Sequence, residues 1–74
     1  MKKEFAEKEK EKYMNLQSKT LVHKKYNAKM KVIEIGIEKR HPNSNDFFIY
    51  CKLKGKLGNV METIEYVLSN YEKP

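Results

Sequence analysis

A single cysteine, Cys51, rules out an intrachain disulfide and gives no sign of an oxidising compartment. The two histidines, His23 and His41, have no cysteine or histidine at ligand spacing around them. A structural zinc site takes four ligands in a compact cluster, so no metal and no cofactor are expected. The longest apolar run, Phe47 to Cys51, is far short of the roughly 18 residues that span a bilayer. Met1-Lys2-Lys3 could open a signal peptide, but Glu4-Phe5-Ala6-Glu7 stands where an apolar stretch would be required. The expectation is a cytoplasmic chain that does not associate with membranes. Arginine is nearly missing too, since Arg40 is the one arginine among sixteen basic residues. Guanine reading in the major groove mostly uses the planar arginine fork, whereas lysine is a mobile point charge. Any contact with nucleic acid, RNA or DNA, is therefore expected on phosphate, without strong sequence specificity.

What is present is a short, strongly basic chain of 74 residues with a formal net charge of +6. That length allows one domain with a modest core. With neither disulfide nor metal to add stability, good packing or oligomerisation must supply it, so a homodimer is one expected arrangement. An AT-rich codon usage would account for much of the lysine count, but not for where the lysines fall.

Residues 1–12 alternate Glu and Lys, with Glu4 four residues before Lys8. Such pairs favour a solvated helix by a few tenths of a kcal/mol each. Phe5, Tyr13 and Leu16 add a sparse apolar stripe, so the spacing predicts a helix over 3–17, frayed at its start. No acidic residue occurs between Glu11 and Glu34. Within that window Leu21-Val22 and Tyr26 suggest a strand over 20–26, the rival being one helix running to about 25; Asn27-Ala28 reads as a turn. Ile33, Ile35 and Ile37 alternate with Glu34, Gly36 and Glu38, which is the period of a half-buried strand over 30–39. Pro42 and its polar neighbours end it. A further strand over 47–54 carries Phe47, Ile49, Cys51 and Leu53 on one face and Phe48, Tyr50, Lys52 and Lys54 on the other. Placing Ile35 opposite Cys51 aligns the apolar faces and sets Glu34 against Lys52 and Gly36 against Tyr50. Gly55 and Gly58 then break the strand. Asn59 with Glu62 three residues later resembles a capping box, and Val60, Met61, Ile64, Val67, Leu68 and Tyr71 follow at helical spacing, predicting a helix over 60–72. The fold class expected is α+β: α-β-β-β-α, or α-β-β-α if the first strand fails, an antiparallel meander with the C-terminal helix on its apolar face.

Catalysis is not expected. Cys51 points into the predicted core, where a structural thiol is inert. His23 sits among lysines instead of beside a carboxylate, and His41 belongs to a turn. No pair of carboxylates shares an inward face, and a chain this small has little room for a substrate pocket of several hundred cubic ångströms.

The residues that stand out for binding are lysines and outer-face aromatics. Lys24, Lys25, Lys29 and Lys31 surround the predicted first hairpin, and Lys54 and Lys56 precede the predicted last helix. Acidic residues gather elsewhere, chiefly on the terminal helices, so the lysines form a one-sided footprint for a polyanion. The α-β-β-β-α order is the topology shared by double-stranded-RNA-binding domains, although their lysine-rich helix-opening motif is missing. Gly55-Lys56-Leu57-Gly58 spells the G-x-x-G string of KH domains, but follows a predicted strand where theirs joins two helices; a glycine turn is the expected reading. Phe48 and Tyr50, beside Lys52 and Lys54, could stack bases on an open sheet. More simply, the N-terminal helix lays Phe5, Tyr13 and Leu16 over those rings. Two functions are therefore expected in turn. One is a module contacting nucleic-acid phosphates. The other is a small regulator or inhibitor of the kind common in phages and mobile elements, docking on a host protein or nucleoprotein. A self-complementary homodimer is compatible with both.

Overall fold

The strand over 47–55 organises the sheet, because its alternating apolar residues leave one face that water must not reach. The computed structural model describes all of residues 1–74. Its elements are α1 (Lys3–Glu11), a 3-10 turn (Met14–Leu16), β1 (Thr20–His23), β2 (Lys29–Lys39), β3 (Phe47–Gly55), β4 (Gly58–Thr63), α2 (Ile64–Asn70) and β5 (Tyr71–Glu72). The strands form one antiparallel sheet in the order β4-β3-β2-β1-β5. The protein is thus a small α+β domain, with a meander and a C-terminal helix on its apolar face. No helix is long and apolar enough to cross a membrane.

The expected β2–β3 register is present: Ile35 faces Cys51, Glu34 faces Lys52 and Gly36 faces Tyr50. The apolar face departs from the simple alternation at one point. A bulge between Val32 and Glu34 leaves Ile33 unpaired and half-buried. The extra residue shifts the phase, so that Val32 replaces Ile33 as the inward residue opposite Leu53. The core gathers Leu16, Leu21, Val32, Ile35, Ile49, Cys51, Leu53, Ile64 and Val67.

Four expectations about the elements need correction. First, the N-terminal helix ends at Glu11 instead of 17, and a separate 3-10 turn follows. The chain must bend there to bring Leu16 into the core, and Ser18 sits at φ 68° as it turns into β1. Second, Tyr13 and Leu16 join the inner core, Phe5 is exposed, and Ala6 is the buried contact of α1. The stripe therefore does not cover Phe48 and Tyr50. The outer face of the sheet stays open, with Lys31, Glu34, Glu38, Lys52 and Lys54 all exposed. Third, β1 is a strand, as the first expectation had it, but stops at His23, because residues 24–28 form the hairpin turn with Asn27 at φ 56°.

The fourth correction is the largest. Residues 58–63 are a strand, not the first turns of a helix, and Asn59 caps nothing. Val60 and Met61 fit either period. Pairing decides between them, because six residues of β4 match β3 from Gly55↔Gly58 to Tyr50↔Thr63. Those pairs satisfy backbone groups of β3 that a helix would leave bare. Helix α2 starts at Ile64, with the Thr63 hydroxyl accepting the Tyr66 N–H at 3.2 Å. Tyr71 and Glu72 leave the helix and pair with His23 and Val22. The helix thus crosses the inner face from one sheet edge to the other. These extra strands set the domain apart from the α-β-β-β-α topology of double-stranded-RNA-binding domains.

Candidate polyanion surface and the aromatic cleft beside it

In an antiparallel meander, alternate turns lie at the same end. The β1–β2 turn (24–28) and the β3–β4 turn (56–57) share one end, and the β2–β3 loop (40–46) occupies the other. This places the six singled-out lysines together. Lys24 and Lys25 sit in the first turn and Lys56 in the second. Lys29 and Lys31 open β2, and Lys54 closes β3. Lys31 and Lys54 are directly opposite each other across the strand pair. Like charges in that position destabilise a sheet. All six are exposed, and none is within ion-pair distance of a carboxylate.

The opposite end handles its charge differently. Arg40 Nε holds Asp46 Oδ2 at 2.9 Å, and the α-ammonium of Met1 also binds Asp46. The hydrogen bond from that ammonium holds the Asp46 carboxyl below the usual carboxylate range, burial works against it, and Arg40 adds a lesser pull in the same direction as the ammonium. Midway along the outer face, Lys52 approaches Glu34 at 3.7 Å. The second turn is a β-hairpin, so Gly55-Lys56-Leu57-Gly58 does not open a helix and offers no helix-terminal anion site. Gly58 is there for its backbone, at φ 127°.

Phe48 and Tyr50 do not join the lysine cluster. Tyr50 lies four residues from Lys54, about 13 Å along an extended strand. Its hydroxyl donates to Glu34 at 2.9 Å, and this bond, followed by burial, pushes the phenol above its ordinary range. The Arg40 guanidinium stands 5.5 Å from the centre of the Phe48 ring. Both rings are half-buried and already engaged.

A different set of aromatics meets the lysine end, on the inner side of the sheet. The seven-residue α2 leaves that end uncovered, which opens a cleft of about 830 Å³ between the two turns. A domain of this size was expected to have little room for such a space, and the shortness of α2 is what leaves it open. His23, Tyr26, Tyr66 and Tyr71 line it, with Met30 and Val60 between them. The His23 ring centre is 4.8 Å from that of Tyr26, 4.9 Å from Tyr71 and 6.2 Å from Tyr66.

His23 organises this cluster. It is buried, 5% exposed. Its Nδ1 accepts the backbone N–H groups of Lys25 (3.1 Å) and Tyr26 (3.3 Å), which fixes the turn. A nitrogen that accepts carries no proton, so the ring hydrogen is on Nε2. Nε2 then donates to the Tyr66 hydroxyl oxygen at 3.2 Å. The phenolic hydrogen of Tyr66 is left without an acceptor in the protein and is free to donate into the cleft. Sequence reasoning missed this cluster. Tyr66 stands outside the apolar stripe of 60–72, and His23 gave no signal until the turn placed two amides on it.

Elsewhere, burial pushes the Cys51 thiol up to about 11. No three metal-ligating side chains come together. Comparison with protein-family models, with curated proteins and with solved structures finds no match to this chain.

Proposed function

We propose that this protein is a non-catalytic module that binds polyanionic chains, nucleic acid foremost, through phosphate contacts at the turn-bearing end of its sheet. The observation that carries the reading is the opposition of Lys31 and Lys54 on an open face, with Lys24, Lys25, Lys29 and Lys56 around them and no carboxylate paired to any. Repulsion of this kind works against the fold, and an anion bound between the ammonium groups removes it. Lysine supplies charge without a directional fork, so affinity follows charge density more than base sequence. The buried Cys51 thiol and the fully engaged His23 ring support a role without chemistry.

The test is a salt titration of binding to single- and double-stranded RNA and DNA, beside a Lys24→Glu/Lys25→Glu/Lys29→Glu variant. Affinity should fall steeply with salt, as log K against log[salt] does when phosphates release counterions. The variant should fold and lose binding. A folded variant that still binds removes the reading.

A second reading, docking on a protein partner, has one observation in its favour. β4 is an edge strand free of lysine, arginine and proline, with Val60 and Met61 exposed. Such an edge accepts another strand, and a second copy of this chain is the simplest donor. Sedimentation that changes with protein concentration would support it, and a monomer at all concentrations would count against self-pairing.

A further inference from the structure

We infer that the cleft beside the lysines takes an unpaired nucleobase, so that the polyanion favoured by this protein is single-stranded. The inference rests on the polyanion reading above and narrows it to a ligand class. Three observations carry it. The cleft volume of about 830 Å³ falls within the range of small-ligand sites, roughly 300–1,000 Å³. Its lining supplies ring faces: Tyr26 is 67% exposed and makes no side-chain hydrogen bond, and the rings of Tyr66 and Tyr71 lie beside it. The exposed Lys25 ammonium, 5.4 Å from the Tyr26 ring centre, is a contact that a stacked base would replace. Its lining also brings in hydroxyl donors, among them the Tyr66 O–H released by the donation from His23 Nε2. Every nucleobase offers a π face and at least one ring or carbonyl acceptor, which is what this lining can use.

The charges around the cleft divide the ligand in two. Lys29 and Lys56 belong to its lining and stand at the two turns, whereas Glu62 lies deeper, on the inner face of β4. A phosphate is therefore held at the rim and repelled from the interior, while an uncharged base is not. Bases within a duplex are stacked and paired, with their faces out of reach. Only a splayed base fits this arrangement.

The experiment compares three probes at one low salt concentration: a short oligothymidylate, a duplex of equal length, and inorganic polyphosphate, which has the charges without the bases. The protein has no tryptophan, so its emission comes from five tyrosines, three of which line the cleft, and stacking there quenches it. The native chain should bind oligothymidylate more tightly than the duplex, with tyrosine quenching that polyphosphate does not produce. Tyr26→Ala should lower affinity for oligothymidylate between about five- and about 150-fold, the range expected for one lost base stack. It should leave polyphosphate binding unchanged, and Tyr26→Phe should restore the single-strand affinity. Unchanged oligothymidylate binding by Tyr26→Ala, or an equal loss on polyphosphate, overturns the base site and leaves the lysine surface standing. Failure of all three probes to bind the native chain overturns both.

Discussion

The Tyr50 ring occupies the space above Gly36 on the neighbouring strand: a Cβ built on Gly36 would lie 2.6 Å from Tyr50 Cζ. The same ring donates its hydroxyl to Glu34, two residues along β2. A methyl group at position 36 must push the ring away and break that bond. Glycine in a strand interior carries its own cost, roughly 0.5–1 kcal/mol relative to alanine. Two effects of opposite sign therefore compete. Gly36→Ala in the native chain should destabilise by about 1 kcal/mol, the bond and packing lost outweighing the entropy gained. In a Tyr50→Ala background the same change should stabilise by about 0.5 kcal/mol, because only the entropy gain remains. A double-mutant cycle by urea denaturation reads the reversal; the same sign in both backgrounds would show that the ring does not depend on the glycine.

His23 tests the origin of the first turn. His23→Leu keeps an apolar group in the core but removes the acceptor of the Lys25 and Tyr26 amides. We expect a loss of about 1–3 kcal/mol, the cost of unmade hydrogen bonds at a buried site. Exchange of those two amides should accelerate more than that of the β2–β3 ladder. His23→Asn offers a carbonyl oxygen that can accept from an amide two residues on, and should restore protection of the turn amides even though ring packing is lost. Equal exchange in all three proteins would mean that the turn holds without the imidazole.

The two cases show why parts of this fold could be read from the sequence and others could not. Gly36 opposite Tyr50 followed from apolar alternation, since a one-residue slip would turn Ile35 and Cys51 outward. The bulge at Ile33 could not be read, because Val32 and Ile33 are adjacent apolar residues and either can face inward at the start of the alternation. Val60 and Met61 suit a helix as well as a strand, and only the pairing of β4 with β3 decides between them. Thr63 was hidden as the true cap for the same reason. At the candidate site, the acid-free window from Lys12 to Ile33 contains four of the six clustered lysines, and Lys54 and Lys56 join them through the strand pairing. The cleft was invisible, because it is made by what α2 fails to cover. Its rings come from the first turn, the last helix and β5.

Cys51 gives a pH dependence with a definite sign. Its thiol is buried in the core and its pKa is raised from 9.0 to about 11 by that burial. Below pH 9 the thiol is neutral in the folded and unfolded chains alike, so the full stability is present. Between about 9 and 11 the unfolded chain loses this proton and the folded chain keeps it, so stability falls as pH rises. The difference amounts to on the order of 2–3 kcal/mol at the top of the window. Lysines and tyrosines titrate nearby, so the comparison is with Cys51→Ala, whose stability should fall less steeply over the same range. Parallel curves would show that the thiol is reached by water. A thiol reagent at neutral pH should likewise label the native protein only as fast as it opens.

The opposed lysines offer a trade between stability and binding. Lys54→Glu would set a carboxylate directly across from Lys31, turning a like-charge pair into an opposite-charge pair. Cross-strand pairs of this kind differ by roughly 0.2–1 kcal/mol, so the variant should be more stable than the native chain, and the gain should shrink in high salt. If the repulsion is retained because a polyanion relieves it, the same variant should bind oligonucleotides and polyphosphate more weakly, with a shallower salt slope. Lys52→Glu is the control. It places Glu opposite Glu34, with which Lys52 is paired at 3.7 Å, and should lose stability. A Lys54→Glu protein that gains stability and keeps its affinity would show that these lysines oppose one another without serving a ligand.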